Sequence, residues 1–278
     1  MIKKILVGID TSEHSRNAQA YAFYFGRVFS ASLIGLHVVD IVSIEGSFFH
    51  DISGSLGLEP YLDFSSKMRE VLTARGRTVL DEFAASARRE NIPVETVLDM
   101  GIVANQICER ARSGDLVMIG HRGVNEKFST GLLGSTAESV ARKSPRQLFI
   151  SPNKFREVKR PVLAYDGSER ASRAMRSAAE VANGLGVPIT VITCARDAKL
   201  GERTLAEART YFENYTPKAD FKLLQGHANE EIVKFLKEHD ADLLFIGAYG
   251  HSRIIEMVLG STTEYVLRNS PCPVFLAR

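Results

Sequence analysis

The chain has 278 residues, 45% of them hydrophobic and 24% charged, a composition that predicts a folded protein with room for two domains. Its net charge of +2 is evenly shared between the halves of the chain, since residues 1–154 have 18 Lys and Arg against 17 Asp and Glu, and the remaining residues have 17 against 16. The lack of a strong positive excess in either half argues against a nucleic-acid partner. Three dispersed cysteines indicate neither a disulfide framework nor a metal site, and no apolar run reaches the roughly 18 residues of a membrane-spanning helix, so we expect a cytoplasmic protein without a membrane partner.

The first half of the chain alternates short apolar runs with longer segments of helical periodicity. The run Ile5–Ile9 is followed by Asp10 and Ser12, residue types that favour the start of a helix, and is therefore predicted to be a buried strand. Further strands are predicted at Leu33–Val39, Val94–Leu98, Leu116–Ile119 and Leu148–Ile150, with helices at 15–29, 67–90, 103–112 and 135–142.

The second half follows the same order. Its strands are predicted at 162–165, 189–194, 220–224, 243–246 and 274–276, and its helices at 170–184, 203–214, 229–238 and 261–268. Alternation of helices with almost continuously apolar strands implies parallel sheets covered on both faces. We therefore predict an α/β fold of two Rossmann-like three-layer domains, each a mainly five-stranded parallel sheet with helices on both faces, related by a pseudo-two-fold axis.

The two halves are copies of one unit. The segment Ile-Leu-Val-Gly-Ile-Asp-Thr-Ser-Glu at 5–13 has its counterpart at 161–169, with an offset of 156 residues, whereas Gly134 returns as Gly260 with an offset of 126. The first unit is thus 30 residues longer between these landmarks, and most of the excess lies in residues 41–66. We predict domains over residues 1–152 and 160–278, joined by a polar stretch that lacks an apolar period.

Glycines follow the fourth strand of each unit. In the second unit, Gly247 and Gly250 are followed after nine residues by Gly260 and Ser261, which open a helix. Glycine lets the backbone turn tightly and approach a ligand, and a helix N-terminus favours an anion, so this spacing predicts a phosphate held at both points. The equivalent residues of the first unit, where the second interval is ten residues and includes Gly131, are Gly120, Gly123, Gly134 and Ser135.

This pattern resembles the nucleotide motif of the universal stress protein family, in which two glycines three residues apart are followed after nine residues by Gly-Ser or Gly-Thr. The resemblance covers essentially the whole chain as two tandem repeats, and it implies ATP as the ligand, with or without Mg²⁺. It also implies that the aspartate after the first strand contacts the ribose or adenine, that the residue ending the second strand lines the base, and that a glycine after the third strand turns beside the nucleotide. In this sequence these residues are Asp10 and Asp166, Val38 and Cys194, and Gly101 and Gly226.

Each of these features also has a purely structural interpretation. Ser261 and Glu264, like Ser135 and Glu138, are spaced as capping boxes, which start a helix without any ligand. The aspartates after the first strands could equally cap the next helix, and the residues ending the second strands could belong to the core. Cations in the glycine-rich loops are either phosphate ligands or exposed charges, and these are Arg122, Lys127 and Arg253.

The last strand of each unit is an apolar edge, at Leu148–Ile150 and Val274–Leu276. An unpaired apolar edge promotes association, and single-domain members of the family commonly dimerise through this strand. We therefore predict that the two units pair within the chain, and we leave a homodimer of the whole chain open.

Residues 41–66 of the first unit form the largest difference between the repeats. They carry aromatic residues among glycines and follow the second strand directly, so they begin on the crevice side of the sheet, where long loops carry function. Three interpretations remain, which are a lid over the first pocket, a contact with a partner chain, and a cluster packed on the surface of its own unit.

The sequence contains neither a P-loop nor a Gly-x-Gly-x-x-Gly motif, and no residue is placed as a base for hydrolysis. The resemblance implies an ATP-binding stress-response protein that acts as a nucleotide-responsive regulator, and without such a base we expect at most weak ATP hydrolysis. The alternatives are a slow ATPase and an interaction scaffold that lacks nucleotide in one or both domains.

Overall fold

A computed structural model describes residues 2–41, 60–123, 133–215, 218–248 and 259–278 of the chain. The elements of the first unit are β1 (Lys4–Gly8), α1 (Glu13–Phe29), β2 (Ser32–Asp40), α2 (Pro60–Arg89), β3 (Val94–Gly101), α3 (Val103–Ala111), β4 (Leu116–Gly120), α4 (Ser135–Lys143) and β5 (Gln147–Ser151). Those of the second unit are β6 (Pro161–Ala164), α5 (Glu169–Leu185), β7 (Ile189–Cys194), α6 (Ala198–Phe212), β8 (Ala219–Leu224), α7 (Ala228–Glu238), β9 (Leu243–Gly247), α8 (Ser261–Asn269) and β10 (Val274–Ala277).

The strands form one ten-stranded sheet in the order β3-β2-β1-β4-β5-β10-β9-β6-β7-β8. Neighbours within each unit are parallel, and β5 and β10 are antiparallel where the units meet. The predicted α/β class, with five parallel strands per repeat, is confirmed.

Apolar side chains cover both faces of this sheet. Along β1, Ile5 and Val7 belong to one buried cluster and Leu6 to another, because successive residues of a strand point to opposite faces. The first cluster includes residues of α1, α2, α5 and α6, and the second includes residues of α3, α4, α7 and α8. Each cluster extends through both units, so the repeats share their cores.

The seam between the units, which is the pairing of β5 with β10, is symmetric in sequence. Phe275 lies opposite Phe149, and Val274 and Leu276 lie opposite Ile150 and Leu148. These residues are equivalent at the 126-residue offset, so the register places a pseudo-two-fold axis at the Phe149–Phe275 pair. Both phenylalanines are fully buried, and the ring of Phe275 lies 5.0 Å from that of Phe245.

The segment between the units is fixed to both of them. The ring of Phe155 lies 4.7 Å from that of Tyr21, whose hydroxyl accepts a 3.0 Å hydrogen bond from the Arg156 backbone N–H. The Arg156 guanidinium donates to both carboxylate oxygens of Asp240 in the second unit, at 2.8 and 2.9 Å. Burial raises the pKa of Tyr21 to about 12. The polar segment predicted to join the units is therefore ordered and makes contacts with both of them.

Equivalent aspartates hold the first strand of each unit. Asp115 Oδ2 accepts from the backbone N–H groups of Lys3 and Lys4 at 2.8 and 2.9 Å. Asp242 accepts from the N–H groups of Lys159 and Arg160 at 2.8 and 2.9 Å. Burial raises the pKa of Asp242, which is 2% exposed.

Two helices begin well before the residues predicted from the sequence. Helix α6 begins at Ala198 rather than at 203, because the Asp197 carboxylate caps it by accepting from the N–H groups of Lys199 and Leu200. Helix α2 begins at Pro60 rather than at 67, and proline is well suited to the first helical position. Part of the predicted insertion at 41–66 is therefore helix, and residues 42–59 lie outside the described residues, as do the three interpretations of this loop.

Candidate functional site

The polar residues that follow β1, β4, β6 and β9 lie at the carboxyl edge of the sheet. In the first unit β2 and β3 lie on one side of β1, and β4 lies on its other side. In the second unit β7 and β8 lie on one side of β6, and β9 lies on its other side. Parallel α/β sheets bind ligands in the crevice formed at this reversal of strand order. The predicted site residues that are described lie at or after the carboxyl ends of the strands, or at the starts of the helices that follow them.

Asp10 follows β1 and is half-buried. Its Oδ1 accepts a 2.8 Å hydrogen bond from the Ser12 N–H, while Ser12 Oγ accepts from Ser15 N at 3.1 Å and is the cap of α1. The second oxygen, Oδ2, faces Gly123, since a Cβ built on that glycine would lie 3.2 Å from it. Asp10 therefore forms the turn before the helix rather than capping it, and it directs one oxygen toward the glycine-rich loop.

Asp166 repeats this arrangement in the second unit. It is exposed, and its Oδ1 accepts from the Ser168 N–H at 3.0 Å. Ser168 caps α5 by accepting from Ala171 N at 3.1 Å. The interpretation of both aspartates as helix caps is therefore wrong, because serine holds that position in each unit.

The two glycines that end β4 and β9 are explained by packing. A Cβ on Gly120 would lie 2.7 Å from His14 Cβ, and one on Gly247 would lie 3.0 Å from Ala171 N, so the first turns of α1 and α5 press against the strands at these points. Gly123 differs, because among the described residues Asp10 Oδ2 is the one atom within 4 Å of its Cβ position. Gly250, which is equivalent to Gly123, lies outside the described residues.

Helices α4 and α8 begin at glycine. Gly134 and Gly260 are the N-cap residues, with φ of −60° and −61°, and the following Ser135 and Ser261 are exposed at the first helical position. Within the described ranges, neither N-terminus has a side-chain cap. The capping-box interpretation is wrong because the serines lie one position too late, and the first N–H groups of both helices are left to other acceptors.

The equivalent glycines after β3 and β8 take up conformations that other residues avoid. Gly101 has φ of +152° and Gly226 has φ of +136°, and a Cβ on either would lie 2.9 Å from a side chain of the next helix, that of Gln106 or Glu231. The tight turn expected at this place is therefore present in both units.

Val38 and Cys194 lie near the ends of β2 and β7, and both are half-buried. Each packs against the core cluster of the α3, α4, α7 and α8 face, so a contribution to the core and exposure toward the crevice occur together. Burial, with a smaller contribution from the Glu231 carboxylate, raises the pKa of the Cys194 thiol to about 11. This thiol therefore stays protonated and apolar at neutral pH.

The two crevices differ at residues that sequence reasoning left aside. In the first unit, His14 and His121 lie with ring centroids 6.1 Å apart, and Arg75 donates a 3.0 Å hydrogen bond to Thr11 Oγ1. Aligning the two repeats would have found these differences, because the counterparts of His14, His121 and Thr11 are Arg170, Ala248 and Gly167.

The second crevice has an acidic rim. The Tyr165 hydroxyl donates to Glu207 Oε2 at 3.2 Å, and Gly167, with φ of +78°, has this carboxylate 3.8 Å from its Cβ position. The first crevice thus has a cation near the turn after its first strand, where the second has a carboxylate. Of the loop cations, Arg122 is half-buried, while Lys127 and Arg253 lie outside the described residues.

A search of the described residues finds no group of three or more His, Cys, Asp or Glu side chains that could hold a metal ion. Among the same residues, the helices are too short or too polar to cross a membrane.

Comparisons with known proteins agree with this architecture. A model described as the universal stress protein family matches residues 1–152 and again 157–278. The universal stress protein Slr1230 of Synechocystis is 27% identical over 287 residues, which cover 100% of both chains. A universal stress protein of Thermus aquaticus is 31% identical over 134 residues, covering 42% of this chain and 96% of its own. The crystal structure of a universal stress protein from Archaeoglobus fulgidus has the same fold, with a TM-score of 0.74, 24% identity, and coverage of 99% and 98%.

Proposed function

Since the chain belongs to the universal stress protein family, we propose that it binds ATP in two equivalent crevices and acts as a cytoplasmic, nucleotide-responsive stress-response protein. The observation that carries the proposal is the repeated helix start after the glycine-rich loop. Helices α4 and α8 both begin at glycine without a side-chain cap in the described chain, whereas α1 and α5 are capped by Ser12 and Ser168. Uncapped N–H groups and the helix dipole favour a phosphate.

The proposal assigns each part of the nucleotide to particular residues. In the first unit, Gly123, Gly134 and Ser135 receive the phosphates, with Gly120 setting the position of the loop. Asp10 accepts hydrogen bonds from the ribose or adenine side through Oδ2, and the base rests against Val38 beside the Gly101 turn.

The second unit uses the equivalent set. The phosphates are received by Gly250, Gly260 and Ser261, with Gly247 placing the loop after β9. The remaining contacts come from residues after the first three strands of the unit, and these are Asp166, Cys194 and Gly226.

The two sites are expected to bind ATP unequally. Arg75 lies beside the turn after Asp10, while Glu207 lies beside the turn after Asp166, and a cation favours a polyphosphate where a carboxylate opposes it. The pairing of β5 with β10 supports a second part of the proposal, which is that both sites belong to one rigid assembly in solution.

Titration calorimetry tests the proposal. Two ATP molecules per chain are expected, and Ser135→Ala should weaken one of them, while Ser139→Ala, which removes the same group one turn further along α4, should leave both unchanged. Failure of ATP to bind would overturn the proposal and favour a scaffold without nucleotide. Turnover measured with Mg²⁺ distinguishes a regulator from a slow ATPase.

A further inference from the structure

Four charged side chains connect α4 with α8 across the pseudo-two-fold axis. Within its own helix, Arg142 lies 2.6 Å from Glu138, and Arg268 lies 2.7 Å from Glu264. Each arginine also reaches the carboxylate of the other helix, with Arg142 3.8 Å from Glu264 and Arg268 3.9 Å from Glu138. We call Glu138, Arg142, Glu264 and Arg268 the charge quartet.

The quartet extends along the two helices to whose starts we assign the phosphates, with its arginines in their last turns. Glu138 and Glu264 are in the first turns of α4 and α8, where a carboxylate competes with a bound anion for the positive end of the helix. An arginine from the other unit offsets part of that negative charge. Each proposed phosphate site therefore depends on a cation supplied by the opposite repeat.

The carboxyl ends of the same helices are also held across the seam. The Arg278 guanidinium of the second unit donates to the carbonyl oxygens of Arg142 and Ser144 at the end of α4. The His121 ring of the first unit lies 2.8 Å, Nε2 to oxygen, from the Leu267 carbonyl in the last turn of α8. The last turn of each helix is therefore hydrogen-bonded to the other unit.

We propose that the two nucleotide sites are negatively coupled through the charge quartet, a conclusion that rests on the proposed ATP sites. Phosphate bound at α4 draws Arg142 and Arg268 toward that helix, because both can approach the added negative charge. Glu264 then loses part of its compensation and opposes phosphate at α8. Binding linkage makes the effect reciprocal.

The size of the effect follows from exposure. The four side chains are 27–34% exposed, so water and salt screen them. We expect a change of about 2- to 5-fold in affinity, at the low end of allosteric coupling.

The test compares the second site with the first site filled, in the unmodified chain, and with the first site blocked, in Gly123→Val, where the Kd for ATP at the second site should be about 2- to 5-fold lower. In a Gly123→Val background, which blocks the first site, adding Glu138→Gln removes the nearer carboxylate partner of Arg142 and keeps Glu264, and the Kd for ATP at the second site should fall by about 2- to 5-fold. Arg142→Gln in the same background should raise that Kd by a similar factor. Glu109→Gln on α3, where the side chain is exposed, is the control with an equal change in charge and should have no effect.

The outcomes separate the coupling from the proposed function. If the unmodified chain binds no ATP in calorimetry, the proposed function fails and the coupling fails with it. If ATP binds but Glu138→Gln matches Glu109→Gln, or if both quartet variants shift the Kd in the same direction, the coupling alone is overturned. Circular dichroism on every variant establishes that it is folded, and the opposite signs expected for the two quartet variants separate coupling from general damage.

Discussion

Substitutions of Gly120 and Gly123, which are three residues apart, should affect different properties, namely stability at Gly120 and ATP binding at Gly123. A Cβ on Gly120 would lie 2.7 Å from His14 Cβ and 2.8 Å from the His14 carbonyl carbon, whereas the Cβ position of Gly123 has, of the residues that the structure describes, only Asp10 Oδ2 nearby, at 3.2 Å. Contacts this short against a helix backbone force β4 and α1 apart, and overpacking of this kind costs about 1–3 kcal/mol. Gly120→Ala should lower the free energy of unfolding by that amount, and Gly123→Ala should change it by less than about 0.5 kcal/mol.

Urea unfolding followed by circular dichroism measures the difference in stability, and calorimetry with ATP on the same preparations measures binding. Gly123→Ala should weaken ATP at the first site, because its methyl group enters the space beside Asp10. Gly120→Ala should retain binding wherever the protein remains folded. If the two variants proved equally stable, or if Gly120→Ala alone lost ATP without loss of stability, the separation of a packing glycine from a ligand-facing glycine would be refuted.

Three further substitutions or modifications probe the second unit. Ser261→Ala should weaken ATP binding by about 0.5–1.5 kcal/mol in calorimetry, the value of one net hydrogen bond, and an unchanged Kd would remove the hydroxyl from the site. Because the pKa of its thiol is raised to about 11, Cys194 should react slowly with iodoacetamide at about pH 8. Saturating ATP should slow this reaction further and should leave the reaction of Cys108 unchanged. Equal protection of both thiols would contradict a contact between the base and Cys194. Phe275→Ala should cost about 3–5 kcal/mol in urea unfolding, and an unaltered midpoint would show that the seam is not tightly packed.

The repeat made most of the fold predictable. Alternation of buried strands with amphipathic helices is a local signal, and its recurrence at 161–169 and from Gly260 onward doubled the evidence for each element. The error at α6 arose because Asp197 lies eight residues before Leu205, the first apolar side chain of the helix that is buried. The aspartates that hold β1 and β6 were missed for a related reason, since Asp115 and Asp242 act on backbone more than 80 residues away.

The candidate site residues follow from the sequence, whereas their packing and backbone conformation do not. Sequence spacing identified the glycines, yet it could not show that Gly120 and Gly247 serve helix packing, because that depends on how closely α1 and α5 approach the strands. The capping-box assignment of Ser261 failed by one position, a shift that only the backbone conformation of Gly260 reveals. The charge quartet combines short-range helix pairs with contacts between helices that are 126 residues apart in sequence, and only the tertiary structure brings them together.

The symmetric seam at Phe149 and Phe275 also has an evolutionary consequence. When two identical subunits pair through such a strand, every substitution appears on both sides of the axis, and the two pockets cannot diverge. Joining the copies in one polypeptide removes that constraint while preserving the interface. His14 and His121 on one side, opposite Arg170 and Ala248 on the other, are differences of the kind that duplication and fusion permit.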